Sequence, residues 1–291
     1  MILYLLQLGL ASVISVVPVV INDADLLETV SRELGKMADE ELAVPGEELA
    51  KAVQAAPKTC QIELLGEAPT QSDYASLSQS VFVLTNVYKC GKCDNWHLSG
   101  GATAWCLSSD GVMVTNYHVL EDAEGACHGV ASREGKVWLV TDILAADKKQ
   151  DLVVFRVQGE NFQPLKLGET AQVGDKVRVI SHPDQTFFTQ TSGEVSRYFL
   201  DSPKKPETSS VRMSITADYA EGSSGGPVMN AAGEVVGIVA STKSIYYDTD
   251  KEGDQDNLQM VFKNTVPVSA LKSILEEEAT KTSASKSHAR P

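Results

Sequence analysis

Three short segments of the chain carry the residue types of a nucleophilic catalytic site. They contain His118 in TNYHV, Asp151 in DLVV and Ser224 in GSSGGP. A serine hydroxyl becomes an efficient nucleophile when an imidazole accepts its proton, and a carboxylate must fix the tautomer of that imidazole and stabilise its cation. We therefore predict that Ser224 is the nucleophile, that His118 is its general base and that Asp151 orients the base.

The glycines around Ser224 indicate a second role for the same loop. Two backbone N–H groups can converge on one point where the chain is free of the steric restriction of a Cβ atom. We predict that the N–H groups of Gly222 and Ser224 stabilise the oxyanion of a tetrahedral intermediate.

The same loop also matches the G-x-S-x-G pattern of the nucleophile elbow in α/β-hydrolases. An elbow requires a preceding strand, a following helix and a histidine later in the chain. His288 is the only histidine after Ser224, and it lies in a polar terminal segment. Pro227 and the strand-like residues after it oppose a helix, so we reject this interpretation.

Composition limits the other classes of function. Of the 291 residues, 43% are hydrophobic and 22% are charged, which is typical of a globular protein. The chain has 25 basic and 39 acidic residues and a net charge of −14, which argues against a nucleic-acid partner. Nine of the acids lie between Asp23 and Glu48. We interpret this run as a solvated helical face or a mobile arm rather than a binding site.

The N-terminal segment is uncharged as far as Ile21 and apolar enough to interact with a membrane. We predict that residues 1–22 are a signal peptide or membrane anchor and that the protein is exported to the periplasm or secreted. The alternatives are a buried N-terminal helix and a misplaced start codon, since no basic residue lies near Met1 and no A-x-A cleavage site is evident.

Periodicity predicts helices within residues 23–58 and short strands from about residue 75 onward. A dozen short strands at this spacing indicate a sandwich or barrels rather than a parallel sheet. A final helix is expected over Val268–Glu278, followed by a flexible tail over residues 279–291. The predicted strands are Val81–Tyr88, Ala102–Leu107, Val112–Thr115, Lys136–Thr141, Leu152–Val157, Lys176–Ser181, Phe187–Thr191, Glu194–Leu200, Val211–Thr216, Val228–Asn230, Glu234–Ser241 and Leu258–Lys263.

Taken together, the three segments resemble the catalytic motifs of the trypsin-like serine peptidases, in particular the bacterial type related to the HtrA proteases. The resemblance covers residues 78–276. It extends to SSDG at 108–111, to His182-Pro183 with the downstream TSG at 191–193, and to GEVVGI at 233–238. Three ordered motifs in one chain are a specific signal.

The resemblance implies an all-β fold of two six-stranded antiparallel barrels, with an N-terminal helical arm and a C-terminal helix. We place the arm at residues 23–74 and the peptidase domain at residues 75–278. The implied activity is that of a serine endopeptidase acting on protein or peptide substrates, without a metal ion or organic cofactor. The alternative is a catalytically silent peptide-binding protein on the same fold.

The resemblance also implies where a substrate binds. Its backbone would pair with the edge strand at Ala240, Ser241 and Thr242. Asp218 occupies the position at which trypsin has the acid of its primary pocket, and a carboxylate buried there would favour a basic side chain.

Two departures from the family pattern carry expectations. Ser223 stands where activated trypsin-type zymogens have an acid that pairs with the new N-terminus, so we expect no activation of that kind. A protein beginning near Leu65 is therefore expected to be active, with the acidic arm affecting only localisation or access. Only 15 residues follow Glu276, too few for a C-terminal PDZ domain.

Two further clusters have metal-ligand residue types. Cys90, Cys93 and His97 have spacing that fits zinc, with Cys60 or Cys127 as a fourth ligand, but a disulfide is equally compatible. The acidic segment 248–256 resembles half of an EF-hand loop. Its twelfth position is Gln259 instead of glutamate, so we interpret it as a solvated hairpin loop. Cys106 is expected to be a small buried apolar residue.

Overall fold

The computed structural model describes residues 19–202, 204–205, 209–249 and 255–275. Within them lie five α-helices and thirteen strands. The helices are α1 (Asp23–Asp39), α2 (Gly46–Ala55), α3 (Tyr74–Leu77), α4 (Tyr117–Leu120) and α5 (Val268–Ile274). The strands are β1 (Val81–Lys89), β2 (Trp96–Leu98), β3 (Ala102–Ser108), β4 (Val112–Thr115), β5 (Cys127–Ala131), β6 (Val137–Asp147), β7 (Leu152–Val157), β8 (Lys176–Ser181), β9 (Thr189–Leu200), β10 (Val211–Ile215), β11 (Pro227–Met229), β12 (Val235–Thr249) and β13 (Gln255–Pro267).

The first seven strands form one antiparallel sheet in the order β2-β1-β3-β4-β7-β6-β5. Strand β1 also pairs with β5, with Val83 opposite Ala131, so that six strands close into a ring and β2 extends its edge. The interior is apolar, with Phe82, Met113 and Phe155 fully buried, because alternate residues of a closed sheet point inward.

The remaining strands form a closed barrel in the order β10-β13-β12-β11-β8-β9. Met213, Val228 and Val239 lie in its core. The predicted fold of two six-stranded antiparallel barrels is therefore confirmed, with the additional short strand β2.

The two barrels pack against each other through one shared apolar cluster. Trp105 and Val154 enter it from the first barrel, Ile180 and Ile238 from the second, and Leu271 from α5. The loops that face this junction are therefore held in a fixed relation, which matters for the site described below.

The sequence pattern missed two strands. Strand β5 contains His128 and Gly129, which weaken a strand signal. The glycine is needed because a Cβ atom there would lie 2.6 Å from the Leu34 side chain and 2.8 Å from the Trp138 carbonyl oxygen. Strand β2 has only three residues, all partly exposed.

Other elements differ from prediction in their bounds. The two strands expected on either side of Ser192 are the single strand β9, since Gly193 allows a close approach to the backbone of Ala217 rather than a break. Strands β12 and β13 continue beyond the barrel as one hairpin. Helix α5 ends at Ile274, and the predicted tail lies outside the described residues.

The N-terminal arm is packed onto the first barrel. Leu26, Val30 and Leu34 of α1 join an apolar cluster with residues of β1 and β5, and Leu49 and Val53 of α2 join the core of the first barrel. The acidic side chains that are exposed include Asp25, Glu28, Glu47 and Glu48. The run is therefore a solvated helical face, and the alternative of a mobile arm is wrong because the opposite face is buried.

These contacts also oppose the expectation that a protein beginning at Leu65 is active. Fully burying a large apolar side chain contributes about 1.5–3 kcal/mol, and total stabilities are about 5–15 kcal/mol. Loss of α1 and α2 removes several such side chains, so we expect a protein starting at Leu65 to lose its cooperative thermal transition. One starting at Asn22, the N-cap of α1, should retain it. Equal melting temperatures for the two proteins would contradict this prediction.

The predicted leader or anchor falls mainly on residues 1–18, outside the described part of the chain. Among the helices that are described, none combines the length and the apolar character needed to cross a bilayer.

Candidate active site

The structure brings the three residues predicted to form a triad into hydrogen-bonding contact. His118 Nδ1 lies 3.0 Å from both carboxylate oxygens of Asp151, and His118 Nε2 lies 3.0 Å from Ser224 Oγ. His118 is on α4 directly after β4, Asp151 directly precedes β7, and β4 pairs with β7. Ser224 comes from the loop between β10 and β11 in the second barrel, so the group spans the junction between the barrels.

The backbone around Asp151 fixes the direction of its carboxylate. Asp151 has a φ of 63°, a left-handed conformation that is uncommon outside glycine and that concentrates at functional sites. Asn116 Nδ2 donates a hydrogen bond of 2.9 Å to the carbonyl oxygen of Asp151. The backbone N–H of His118 donates to Asp151 Oδ1 at 3.1 Å. The carboxylate therefore holds both the backbone and the ring of His118.

This arrangement makes His118 a better base. Burial lowers the pKa of His118, but the hydrogen bond and the negative charge of Asp151 outweigh it, so the pKa lies above the ordinary value of 6.5. With the Nδ1 proton donated to Asp151, the lone pair of Nε2 faces the hydroxyl of Ser224. The two atoms lie within hydrogen-bonding distance, at 3.0 Å.

The peptide between Glu221 and Gly222 is fixed by a hydrogen bond. The carbonyl oxygen of Glu221 accepts a hydrogen bond of 2.7 Å from the backbone N–H of Asp184. The N–H of Gly222 belongs to the same trans peptide and therefore points the opposite way. Within the described residues, neither this N–H nor that of Ser224 donates to another protein group. Both residues line the cleft beside His118.

Glycine is required at position 222. Its φ is +87°, and a Cβ atom there would overlap the carbonyl oxygen of His182. Gly225 has a similar role, with a φ of +86° and no room for a Cβ against the carbonyl oxygen of Thr103. Both glycines therefore adopt the left-handed backbone conformation that a residue with a Cβ atom rarely adopts, as the sequence predicted for this loop.

Ser223 stands at the position where trypsin-type zymogens have an acid. It is fully buried, and its hydroxyl oxygen accepts a hydrogen bond of 3.0 Å from the Ser181 hydroxyl on β8 and one of 3.4 Å from the N–H of Ala220. Among the described residues, Ser223 thus holds the loop through neutral hydrogen bonds.

A threonine in the first barrel holds the loop from the other side. The N–H of Thr103 donates to the carbonyl oxygen of Ser224 at 2.8 Å, and its hydroxyl donates to that of Gly222 at 3.0 Å. The hydroxyl of Thr115 in turn donates to the carbonyl oxygen of Thr103 at 2.9 Å. Sequence reasoning missed both threonines, because a threonine in a strand carries no signal of its partner.

Sequence reasoning also gave no role to residues 182–188, although His182-Pro183 was one of the family-like segments. The buried His182 ring accepts a hydrogen bond from the N–H of Phe188 at 3.0 Å, and burial lowers the pKa of His182 to about 4. Asp184 has a left-handed φ of 46°. The loop is tied to the N-terminal arm, because Asp23 Oδ1 accepts a hydrogen bond of 3.0 Å from the N–H of Phe187.

The cleft beside Ser224 has a volume of about 310 Å³ and opens to solvent. Ser241 and Thr242 are exposed on β12, beyond the last residue of β12 that pairs with β11, whereas Ala240 is buried. One edge of β12 is paired with β13 at Ser241 and Thr242. Within the described residues no strand pairs with the other edge there, and the carbonyl oxygen of Ser241 accepts a hydrogen bond of 3.1 Å from the Tyr219 hydroxyl.

Asp218 does not have the environment expected of a pocket base. Its side chain is 85% exposed and lies 3.5 Å from Lys263 Nζ. It is not among the residues that line the cleft at Ser224. An exposed and already paired carboxylate provides little selectivity, so the expectation of a buried acid for a basic side chain is wrong.

Residues 102–238 match the family model described as a trypsin-like peptidase domain. A probable periplasmic serine endoprotease of the DegP-like type from Halomonas elongata is 32% identical over 138 residues, which are 47% of this chain and 28% of that relative. A protein of the same description from Chlamydia muridarum is 34% identical over 144 residues, 47% of this chain and 27% of the relative. The chain therefore spans less than a third of the length of these relatives.

Solved structures support the same fold. The active form of the Rv3671c protease from M. tuberculosis is similar with a TM-score of 0.52 at 20% identity, covering 73% of this chain and 89% of that one. The HtrA-type protease AlgW with a decapeptide has a TM-score of 0.53 at 20% identity, covering 69% of this chain and 66% of that one. At these identities the similarity establishes the architecture, and chemistry must be argued from the residues.

Proposed function

We propose that the chain is a serine endopeptidase of the trypsin-like type related to the HtrA proteases, acting on protein or peptide substrates, on the premise that residues 102–238 match a trypsin-like peptidase domain. The observation that carries the proposal is the continuous contact from Asp151 through His118 to Ser224, with both links at 3.0 Å. If His118 were only a structural histidine and Ser224 only a turn residue, nothing would require a carboxylate, an imidazole and a hydroxyl to be hydrogen-bonded in this order.

The proposed reaction has two stages. Ser224 Oγ attacks the carbonyl carbon of the scissile bond while His118 Nε2 accepts its proton, and the N–H groups of Gly222 and Ser224 stabilise the oxyanion. His118 then gives the proton to the leaving amine, and an acyl-enzyme ester remains on Ser224. A water molecule, deprotonated by His118, attacks the ester; the bond to Ser224 Oγ then breaks, His118 returns the proton to that oxygen, and the acid product leaves. Asp151 keeps the Nδ1 proton in place and stabilises the imidazolium throughout.

The edge of β12 that no described strand pairs with at these positions supports the binding of an extended peptide. Backbone groups at Ala240, Ser241 and Thr242 would pair with the substrate in the manner of strand addition, which gives affinity without dependence on side chains. The AlgW structure with a decapeptide is consistent with this class of ligand. We propose no nucleic-acid partner.

We also propose that the protein is exported and meets its substrates in the periplasm or outside the cell. The relatives are described as periplasmic, and the segment before Asn22 carries no charged residue.

Activity is expected to rise with pH through the titration of His118. The reaction needs the neutral imidazole, and the pKa of His118 is raised by Asp151, so the midpoint should lie above 6.5 with a plateau on the alkaline side. His128 and His182 do not contribute in this range, because burial lowers the pKa of each to about 4. The profile of kcat/KM against pH provides the test, and a midpoint below 6 would contradict the assignment of His118 as base.

Mapping cleavage products separates the endopeptidase from a silent peptide-binding protein. Wild-type protein incubated with a reduced, unfolded protein should produce internal fragments that mass spectrometry can assign. Binding without any cleavage would support the silent alternative, and release of terminal residues only would exclude an endopeptidase.

A further inference from the structure

The hairpin of β1 and β2 carries two thiols in its loop, from Cys90 and Cys93, and the imidazole of His97 on β2, and these three groups lie close together. Cys90 Sγ lies 3.5 Å from Cys93 Sγ, and Cys93 Sγ lies 3.0 Å from His97 Nε2. The three atoms all lie within 4.8 Å of one another. With zinc bonds of about 2.3 Å to sulfur and 2.0–2.1 Å to nitrogen, ligands on a tetrahedron are about 3.4–3.8 Å apart. Small side-chain rotations would therefore create a zinc-binding face.

The surrounding contacts hold this loop in position. Trp96 is fixed against α1, since its indole N–H donates to Asp39 Oδ1 at 3.1 Å and its carbonyl oxygen accepts from the Ser31 hydroxyl at 3.0 Å. Lys89 Nζ donates to the carbonyl oxygen of Asp94 at 2.6 Å and lies 4.2 Å from the centre of the Trp96 ring system. The ligand atoms are thus carried by a hairpin whose two ends are anchored, which lowers the entropic cost of binding an ion.

We propose that Cys90, Cys93 and His97 bind one Zn²⁺ ion through two thiolates and one imidazole, with the fourth position open to solvent. Two thiolates neutralise the charge of the ion, and sulfur with imidazole nitrogen is a ligand set that zinc accepts readily. The sequence analysis considered Cys60 or Cys127 as a fourth ligand, and the structure places neither of them at this site. Cys60 packs in the cluster between the barrels, and Cys127 is buried beneath α1.

The geometry favours zinc over a disulfide because a zinc ion would bind the two thiols and the His97 imidazole together. A disulfide between Cys90 and Cys93 gives no role to His97, whose Nε2 has Cys93 Sγ as its hydrogen-bond partner. Tyr88 packs beside the His97 ring at 5.8 Å between centroids and keeps it on this side of the hairpin.

The site lies outside the residues that line the cleft, and its ion takes no part in the reaction. It would act on the hairpin, since the metal joins the end of β1 to the start of β2. Asn86 and Ser99 at the base of this hairpin line the cleft beside Ser224. Zinc binding would therefore stiffen one wall of the cleft and raise the thermal stability of the protein.

Cobalt substitution tests the proposal in the full protein, kept reduced and freed of metal beforehand. Titration with Co²⁺ should produce thiolate-to-cobalt charge-transfer bands that saturate at one ion per chain and disappear when Zn²⁺ is added. Cys90→Ser, Cys93→Ser and His97→Gln should each weaken binding by at least about tenfold, the smallest loss expected even for groups outside the coordination sphere. Cys60→Ser is the matched control and should bind as wild type does.

Three results would overturn the proposal. One is the absence of any charge-transfer band when the fully reduced protein is titrated with Co²⁺. Another is cobalt binding that persists unchanged in Cys90→Ser. The third is equal weakening in Cys60→Ser. Melting temperatures measured in EDTA show whether each variant is folded, so loss of binding is interpretable in every case.

Discussion

Replacing Ser224 with alanine is expected to lower kcat by about 10⁶-fold and to leave a residual rate about 10³–10⁴-fold above that in water. The variant lacks the atom that forms the acyl-enzyme, but the oxyanion donors at Gly222 and Ser224 are backbone groups and remain. The Ser224 hydroxyl has His118 as its contact, so the fold should be unaffected. Initial rates on an unfolded protein substrate and the melting temperature together provide the measurement.

Ser223→Ala is the matched control. Ser223 is the residue before Ser224, and its hydroxyl does not face the cleft. In the interior, this hydroxyl accepts a hydrogen bond from the Ser181 hydroxyl. Loss of this partner costs about 1–3 kcal/mol of stability or loop order. We therefore expect a lower melting temperature and a modest loss of activity, far smaller than that of Ser224→Ala. If the two variants lost activity equally, Ser224 would no longer be distinguished as the nucleophile.

Asp151→Asn is expected to lower kcat/KM by about 10⁴-fold at the plateau of the pH profile. The amide can present an N–H to His118 Nδ1, which favours the tautomer with its proton on Nε2, and this nitrogen then cannot accept the proton of Ser224. The substitution also removes the negative charge that raises the pKa of His118. The midpoint of the remaining activity should therefore move to lower pH.

Asp147→Asn serves as a control for Asp151→Asn, because Asp147 ends β6 and accepts hydrogen bonds from the N–H groups of Lys149 and Gln150 without touching His118. Its activity and pH midpoint should match wild type. A loss of less than tenfold in Asp151→Asn would show that the carboxylate does not orient the base.

The contact among His118, Asp151 and Ser224 was predictable because each lies within three residues of a strand that the sequence pattern locates well. Strands β4 and β7 have the predicted bounds; His118 follows β4 by three residues, and Asp151 directly precedes β7. Because β4 pairs with β7, the side chains of His118 and Asp151 are brought close together. The glycines around Ser224 were informative for the same reason, since a left-handed backbone requires them locally.

The supporting parts of the site were not predictable, because they act through backbone groups or through distant partners. The N–H of Asp184 and the N–H of Thr103 orient the loop that contains Gly222 and Ser224, and any residue except proline provides an N–H. The packing of α1 against the barrel depends on Leu26 and Leu34 meeting residues far along the chain. The sequence shows an amphipathic acidic helix but not the surface that it covers.

Mapping the adduct of a fluorophosphonate tests the central claim most directly. Such a reagent reacts with a serine hydroxyl only when a base and an oxyanion site activate it, so labelling reports the assembled site without a known substrate. We predict a single adduct per chain, located on Ser224 by peptide mass spectrometry, with a labelling rate that rises with the deprotonation of His118. An adduct on another residue, or labelling that persists in Ser224→Ala, would contradict the account.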